Sequence, residues 1–309
     1  MDHLATMRAF VAVAEEGSFV AAAKRLGITP QLVSKHVQAL ESELGVRLLN
    51  RTTRSVSRTE IGDRFARRCA TLLDDFEDIV TEVRDEHSQP RGHLRITVPV
   101  TFAEIYMAPI LVKFSALYPD ITVNMRLSDD FSDLLEESVD IALRIGKLND
   151  SSMIVRKIVD TKSVLCAAPS YLEKAGIPKR PQDLEAHDCI VDTNRRAPDR
   201  WTFSDQGKLQ TVTISGRYTV NSATASIELG KAGAGILICP DLFAQRDLAA
   251  GHLVQVLPNM TTEGSGLYAL FHSARHSAAK TRVFIDFVTA WFKSHHTMPH
   301  HMGQTTRNP

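Results

Sequence analysis

A chain of 309 residues is longer than one small core needs and implies two or three domains, each with its own apolar interior. An apolar fraction of 43% and a charged fraction of 23% fit a globular protein and set aside a disordered or collagen-like chain. Lys and Arg (36) balance Asp and Glu (36), so attraction for a polyanion has to come from a local excess of charge.

No basic segment followed by an apolar one opens the chain, and no run of eighteen apolar residues follows. Together these predict a cytoplasmic protein without a membrane span. The first helix is expected from about Asp2 to Glu16, with Leu4, Met7, Phe10, Val11 and Ala14 on one face. Ser18 can cap a second helix whose inner face is Phe19, Ala22, Ala23 and Leu26, and Gly27 stops it. Thr29 caps a third. Pro30 stands at its first position, where a missing N–H costs nothing, and Val33, Val37, Leu40 and Leu44 form the inward stripe.

The opposite face of that third helix carries Gln31, Ser34, Lys35 and Gln38, donors and acceptors able to reach base edges or phosphates in a DNA major groove. A helical hairpin alone is an ordinary feature of proteins that never touch DNA. Charge separates the two readings: from Lys24 to Arg58 there are seven basic residues (Lys24, Arg25, Lys35, Arg47, Arg51, Arg54, Arg58) and two acids (Glu41, Glu43). After Gly45, the stretch Val46 to Ser57 reads as a hairpin or wing whose tip presents Arg51 and Arg54 to the minor groove or to flanking phosphates.

A long helix is expected to start at Ser57 or Thr59, with Ser57-x-x-Glu60 as a capping box. Ile61, Phe65, Cys69, Leu72, Phe76, Ile79 and Val83 recur along it at heptad steps, over roughly 25 residues or about 38 Å. Such a stripe needs a partner, and the same helix of a second subunit fits it. Phe65, Leu72, Phe76, Ile79 and Val83 are therefore the expected dimer contacts, and a dimer would set two recognition helices at fixed spacing on a palindrome. The divisions expected are 1–58 for the DNA-binding domain and 59–88 for the linker helix.

Ser88-Gln89-Pro90-Arg91-Gly92 breaks the helix. Strand-like and helix-like runs then alternate: Leu94–Val98, Glu104–Leu117, Ile121–Leu127, Ser132–Ser138 and Ile141–Ile145. The alternation predicts a mostly parallel sheet with helices on both faces. A second alternating region runs from about Ser163 to Pro258, and Leu267–Phe271 with the helix Thr281–Phe292 closes the first. The result is a two-lobed domain over 92–293, with lobe I at about 92–162 and 266–293 and lobe II at about 163–265. Ligands in such sheets bind at strand C-terminal ends, near helix N-termini.

Other chemistry is poorly supported. Cys69, Cys166, Cys189 and Cys239 form no C-x-x-C pair and read as buried thiols rather than a zinc site or a Cys166–Cys189 redox pair. Gly230 to Gly235 lacks the pattern of a phosphate-binding loop. His295, His296, His300 and His301 fall in a tail, 294–309, expected to be disordered and without a bound metal. There is no G-x-S-x-G, no H-E-x-x-H and no dinucleotide fingerprint, so no catalytic residues, no cofactor and no enzymatic activity are expected.

From residue 1 to about 293 the chain resembles the LysR-type transcriptional regulators. The motifs that carry the resemblance are FVAAAKRLG (Phe19–Gly27), TPQLVSK (Thr29–Lys35), LESELG (Leu40–Gly45), LLNRTTR (Leu48–Arg54), RGHLRITVP (Arg91–Pro99), FSALYP (Phe114–Pro119) and DIALRIG (Asp140–Gly146). DSSMIV (Asp150–Val155), CAAPSYL (Cys166–Leu172) and LAAGHLVQVL (Leu248–Leu257) add to them. The resemblance implies an α + α/β protein: a winged helix-turn-helix, a dimerising linker helix and a two-lobed effector domain like that of periplasmic binding proteins. It also implies double-stranded promoter DNA and further copies of the chain as partners, in a dimer of dimers, with RNA polymerase as an additional partner.

By position, Ser34 and Lys35 become groove or phosphate contacts with Gln31 and Gln38 beside them, and Arg51 and Arg54 belong to the wing. Thr101 with Phe102, Ser128, Arg144, Gly146, Asn221 and Ser222 take effector-binding positions. The sequence departs from the family pattern at Arg58, where leucine is common, and at Ala103-Glu104, where Gly-Arg is common in this branch. Exchanging a cation for a carboxylate beside the cleft favours a neutral or amine-bearing effector over an organic anion.

Overall fold

The computed structural model describes residues 2–51, 56–84, 90–130, 139–146, 153–205, 208–262, 265–271 and 279–295. Side-chain caps start the first three helices. Asp2 accepts the N–H groups of Leu4 and Ala5 at 3.1 and 3.2 Å to open α1 (His3–Glu16). Ser18 accepts that of Ala21 at 3.3 Å to open α2 (Phe19–Leu26), and Thr29 accepts that of Leu32 at 3.3 Å to open α3 (Pro30–Leu44). Gly27 and Gly45, both at φ +67°, end α2 and α3 in the left-handed conformation that a side chain would strain. Phe10, Val13, Ala22, Val33, Val37 and Leu40 close a core between the three helices. The wing strands β1 (Leu49–Arg51) and β2 (Val56–Arg58) pair antiparallel, with Asn50 opposite Ser57.

That pairing explains a departure from expectation at α4 (Glu60–Arg84). Ser57 is held in a strand, so the Ser57–Glu60 capping box does not form. Thr59 caps instead, its Oγ1 accepting the N–H of Gly62 at 2.9 Å. The heptad stripe also divides. Ile61 is 46% exposed, but the next two members pack on their own chain: Cys69 is buried with Ala66 and Leu73 in the head's core, and the Phe65 ring lies 5.7 Å from that of Phe10. Phe65, expected at the dimer contact, is thus a wall of the DNA-binding head, because the exposed flank of α1 needs a cover. Leu72, Phe76 and Ile79 are 50%, 39% and 58% exposed. The side chain of Val83 lies outside the described residues.

Beyond the linker, one sheet of five strands has the order β4-β3-β5-β15-β6. Its strands are β3 (Gly92–Val98), β4 (Ile121–Leu127), β5 (Ile141–Gly146), β6 (Ile154–Thr161) and β15 (Ser265–Phe271). β3 runs parallel to both β4 and β5, as expected. β15 runs antiparallel to both β5 and β6, because it is the chain's return from the second lobe. The expected helix at Ser132–Ser138 lies outside the described residues.

The helical run Val100–Leu117, α5, has a mean hydropathy of 1.5 and is long and apolar enough to cross a membrane by length and composition. The fold uses that apolarity internally. Phe102, Met107, Ile110 and Phe114 sit fully buried against the sheet and against α9 (Ala279–His295), with Phe102 and Phe292 stacked at 5.8 Å. A π-helical stretch, Ala103–Met107, interrupts α5.

The second lobe is less parallel than the sequence suggests. β7 (Ser163–Ala167) lies between β12 (Leu237–Pro240) and β13 (Val254–Val256), antiparallel to both. β8 (Asp188–Asp192) pairs parallel with β11 (Ser215–Val220), and a parallel bridge from Cys189 to Ile236 joins the two pieces. A hairpin of β9 (Arg200–Asp205) and β10 (Lys208–Thr213), extended by β14 (Thr261–Thr262), covers Trp201 and Phe203. Helices α6 (Pro169–Ala175), α7 (Ala223–Lys231) and α8 (Asp241–Ala249) complete the lobe. The lobes join where β6 runs into β7. There Asp241 accepts the Thr161 hydroxyl at 2.5 Å and donates its own N–H to the Lys162 carbonyl at 2.8 Å.

Candidate DNA interface and effector cleft

On α3, Gln31, Lys35 and Gln38 are exposed and Ser34 is half-buried, all opposite the buried Val33, Val37 and Leu40. Helical periodicity alone produces this separation. The basic excess of the head is smaller in space than in sequence. Arg25 is paired with Glu15 at 2.6 Å and Glu16 at 3.3 Å, and Arg58 with Asp63 at 3.0 Å, whereas Lys24, Lys35 and Arg47 stand exposed. Arg51 has its backbone in β1, but its side chain, like the whole of Arg54, lies outside the described residues.

The second region of interest is the junction between the lobes, at the C-terminal ends of β3, β4, β8 and β11. Thr101, 2% exposed, sits in the first turn of α5, where its Oγ1 accepts the N–H of Thr224 at 3.1 Å. Its hydroxyl lies 3.0 Å from that of Thr224, and the Thr224 hydroxyl donates to Glu104 at 2.6 Å. Asp129, just beyond β4, accepts the N–H of Val100 at 3.2 Å and the side-chain amide of Asn194 at 3.2 Å. That amide also donates to the Asn221 carbonyl at 2.7 Å. Ser222 caps α7, accepting the N–H of Ala225 at 3.3 Å, and so supports Thr224. Further back, the Tyr106 hydroxyl donates to the Leu242 carbonyl at 2.7 Å.

Electrostatics at this junction are set by partly and fully buried charges of both signs. Burial raises the Asp129 carboxyl above its usual range, partly offset by the Val100 N–H and by Arg144, and reinforced by Glu104. Burial likewise raises Asp192, with Asp129 among the charges adding to it. Arg195 is lowered by its own burial, against the attraction of Asp192. Arg144 is 1% exposed, and its guanidinium donates to the carbonyls of Leu143 at 2.7 Å and Asp130 at 3.0 Å. It braces the floor of the junction.

The structure therefore brings Thr101, Asn221 and Ser222 together across the lobes. Ser128 stands beside them, its hydroxyl accepting the Asp130 N–H at 3.1 Å, and Gly146 ends β5 opposite Gly266. Phe102 and Arg144 are in the interior: Phe102 belongs to the aromatic core with Tyr106 and Phe292 and is wholly enclosed. Glu104, Asp129, Asn194 and Thr224 make the contacts across the junction. Asp129 and Asn194 follow strand ends just as Ser128 does, so the strand-end rule applied evenly along the chain would have found them.

The four cysteines are free and buried. Burial holds the Cys69 thiol at about 11 and Cys189, with Asp188 adding, at about 12. Cys239 is raised by its neighbour Cys166 and by burial. Little thiolate exists at neutral pH on any thiol so placed. Among the described residues, no group of three or more His, Cys, Asp or Glu side chains could hold a metal.

Comparison with known proteins bears on both regions. Residues 4–63 match the family model for the bacterial regulatory helix-turn-helix protein, lysR family, and residues 87–293 match the LysR substrate binding domain. The chain belongs to the LysR family of transcriptional regulators. It is 37% identical over 280 residues to the HTH-type transcriptional regulator PtxR of Pseudomonas aeruginosa, covering 90% of this chain and 89% of that one. It is 31% identical over 286 residues to the HTH-type transcriptional activator TtdR of Escherichia coli, covering 92% of each. Among solved structures, CrgA of Neisseria meningitidis has 33% identity and a TM-score of 0.60, over 93% of this chain and 98% of that one. The full-length virulence activator AphB of Vibrio cholerae has 31% identity and a TM-score of 0.58 over the same shares. This LysR-type regulator thus combines a helix-turn-helix head with an effector-binding domain, and the relatives it matches are transcriptional regulators.

Proposed function

We propose that this LysR-type regulator works in the bacterial cytoplasm as a dimer of dimers, held through Leu72, Phe76 and Ile79 of α4, and changes its promoter contacts when a small effector occupies the junction between its lobes. Gln31, Ser34, Lys35 and Gln38 read the major groove, and Arg51 and Arg54 bind flanking phosphates. RNA polymerase is the further partner at promoters it activates. One observation carries the effector reading: Thr101 and Glu104 meet Thr224, and Asp129 meets Asn194, at strand ends of opposite lobes. A ligand at Thr101, Ser128, Asn221 and Ser222 would exchange those bonds for its own and so alter the angle between the lobes. Glu104 and Asp129 face that ligand while Arg144 is turned into backbone carbonyls. The class that fits is a neutral or amine-bearing molecule.

Genome-wide mapping of bound DNA tests the first half. The expected result is sharp peaks at a divergent promoter containing an interrupted palindrome, and an absence of peaks from folded, expressed protein would remove it. Substrates handled by the neighbouring genes then supply compounds for thermal-shift titration. Amines or neutral compounds should raise Tm where carboxylate anions do not. An anion that raises it would overturn the effector class.

A further inference from the structure

The recognition helix and the wing are joined by a carboxylate. Glu41 projects from α3, and its Oε1 accepts the N–H of Leu48 at 2.9 Å and that of Leu49 at 3.1 Å, the residue before β1 and the first residue of β1. Thr59 grips the same point from the other side: its N–H donates to the Leu48 carbonyl at 3.0 Å and its hydroxyl to the Arg47 carbonyl at 3.0 Å. The first turn of α4 closes on that backbone. A Cβ at Gly62 would lie 1.9 Å from the Leu48 carbonyl oxygen, so no larger residue fits there without moving the base of the wing. Leu48 and Leu49 anchor their side chains in the head's core at 0% and 2% exposure.

From this geometry we infer that Glu41 is a positioning residue for DNA recognition, setting the height of the wing relative to α3 so that both engage one operator together. The inference rests on the wing contacting DNA, as proposed above. Glu41 stands one heptad beyond Ser34 on α3, about 10 Å further along the helix, and its carboxylate is turned to the Leu48 and Leu49 amides, so its role runs through those two residues. A side-chain oxygen shared by two successive amides fixes both the distance and the direction of the strand that follows. Were Glu41 only a stabiliser of the head, its loss would weaken every DNA contact alike. A positioning role predicts selective loss at the flanks.

The test uses the full chain and a duplex that the wild type selects from a random pool. Hydroxyl-radical footprints and the salt dependence of binding are compared for the wild type, Glu41→Ala, Glu41→Gln and Glu41→Asp, with thermal melts recorded on the same samples. Glu41→Ala should keep the central protection and lose the flanks. Its slope of log K against log salt should fall in magnitude by about two per head, at about 0.9 for each phosphate contact. Glu41→Gln keeps an oxygen that can accept both N–H groups and should retain the flanks. Glu41→Asp keeps the charge but falls short of the amides, and should lose the flanks even if the alanine variant does not fold. Uniform weakening with an unchanged slope would overturn the proposal, as would a glutamine variant that behaves like alanine. A wild type that protects no flanks would remove the wing contacts and the proposal with them. Flanks protected in both the wild type and Glu41→Ala would overturn Glu41 alone.

Discussion

Single side chains at the lobe junction show how burial and charge act together. Asp129 and Asp192 are held above the ordinary carboxylate range chiefly by burial, and each feels the other acids at the junction. A carboxyl raised in the folded state stabilises the fold most fully below its unfolded value and loses that contribution as pH rises through the folded value. The wild type should therefore gain Tm relative to Asp129→Asn as pH falls from about 7 toward about 4. Differential scanning calorimetry of the two proteins reads the difference directly, and a gain with rising pH instead would mean that Val100, Asn194 and Arg144 outweigh burial. On the DNA side, Lys35 is exposed on the polar face of α3, and Lys35→Ala should weaken operator binding by about 1–3 kcal/mol if the ammonium reaches a base. A footprinting titration that matches the wild type would take Lys35 off the contact surface.

Among the elements, α4 shows most clearly what periodicity can and cannot say. The heptad spacing correctly marks an apolar stripe but is silent on which partner covers each part. Phe65 and Cys69 pack with α1 of the same chain, whereas Leu72, Phe76 and Ile79 are exposed even though Leu73 still lies in the head's core and Glu77 still reaches Arg8 of α1. Two substitutions separate the halves. Phe65→Ala removes a ring packed on Phe10 and should cost the head about 3 kcal/mol, seen as a lowered midpoint in urea, without changing the oligomer. Phe76→Asp places a charge in the free half and should yield monomers in sedimentation while the melting of the head is unchanged. Intact dimers from Phe76→Asp would move the main interface to another surface. The caps of α2 and α3 were easier to read: Ser18, Thr29, Gly27 and Gly45 are short-range signals, and those helices begin and end where they place them, whereas Asp2, expected inside the first helix, caps it. Ser57 misled because it is held in a strand pairing with Asn50, seven residues earlier in the chain.

For the molecule as a whole, chain order and fold class are legible because alternation and turn residues are local, while the junction is assembled from segments far apart in sequence. Thr101 and Thr224 are separated by 123 residues, and Asp129 and Asn194 by 65, distances over which no spacing rule operates. The tie between the DNA-binding and effector domains is equally non-local. Asp74 of α4 forms an ion pair with Arg95 of β3, both about four-fifths buried. Arg95 is itself fixed, its N–H donating to the Asp140 carboxylate at 2.7 Å and its carbonyl accepting the Asp140 N–H at 2.8 Å. Two residues further along β3, Thr97 touches the guanidinium of Arg144, which braces the junction floor through the Asp130 carbonyl. These contacts link the junction floor to the helix that carries the DNA-binding head. Breaking one partner leaves the other buried and uncompensated, so Arg95→Ala and Asp74→Ala should each cost more than an exposed pair would. The double variant should cost less than their sum, and a double-mutant cycle in urea denaturation reads that coupling. If the pair joins the domains, the two unfolding transitions should move apart in the single variants, and additive costs with coincident transitions would show that head and effector domain are joined elsewhere.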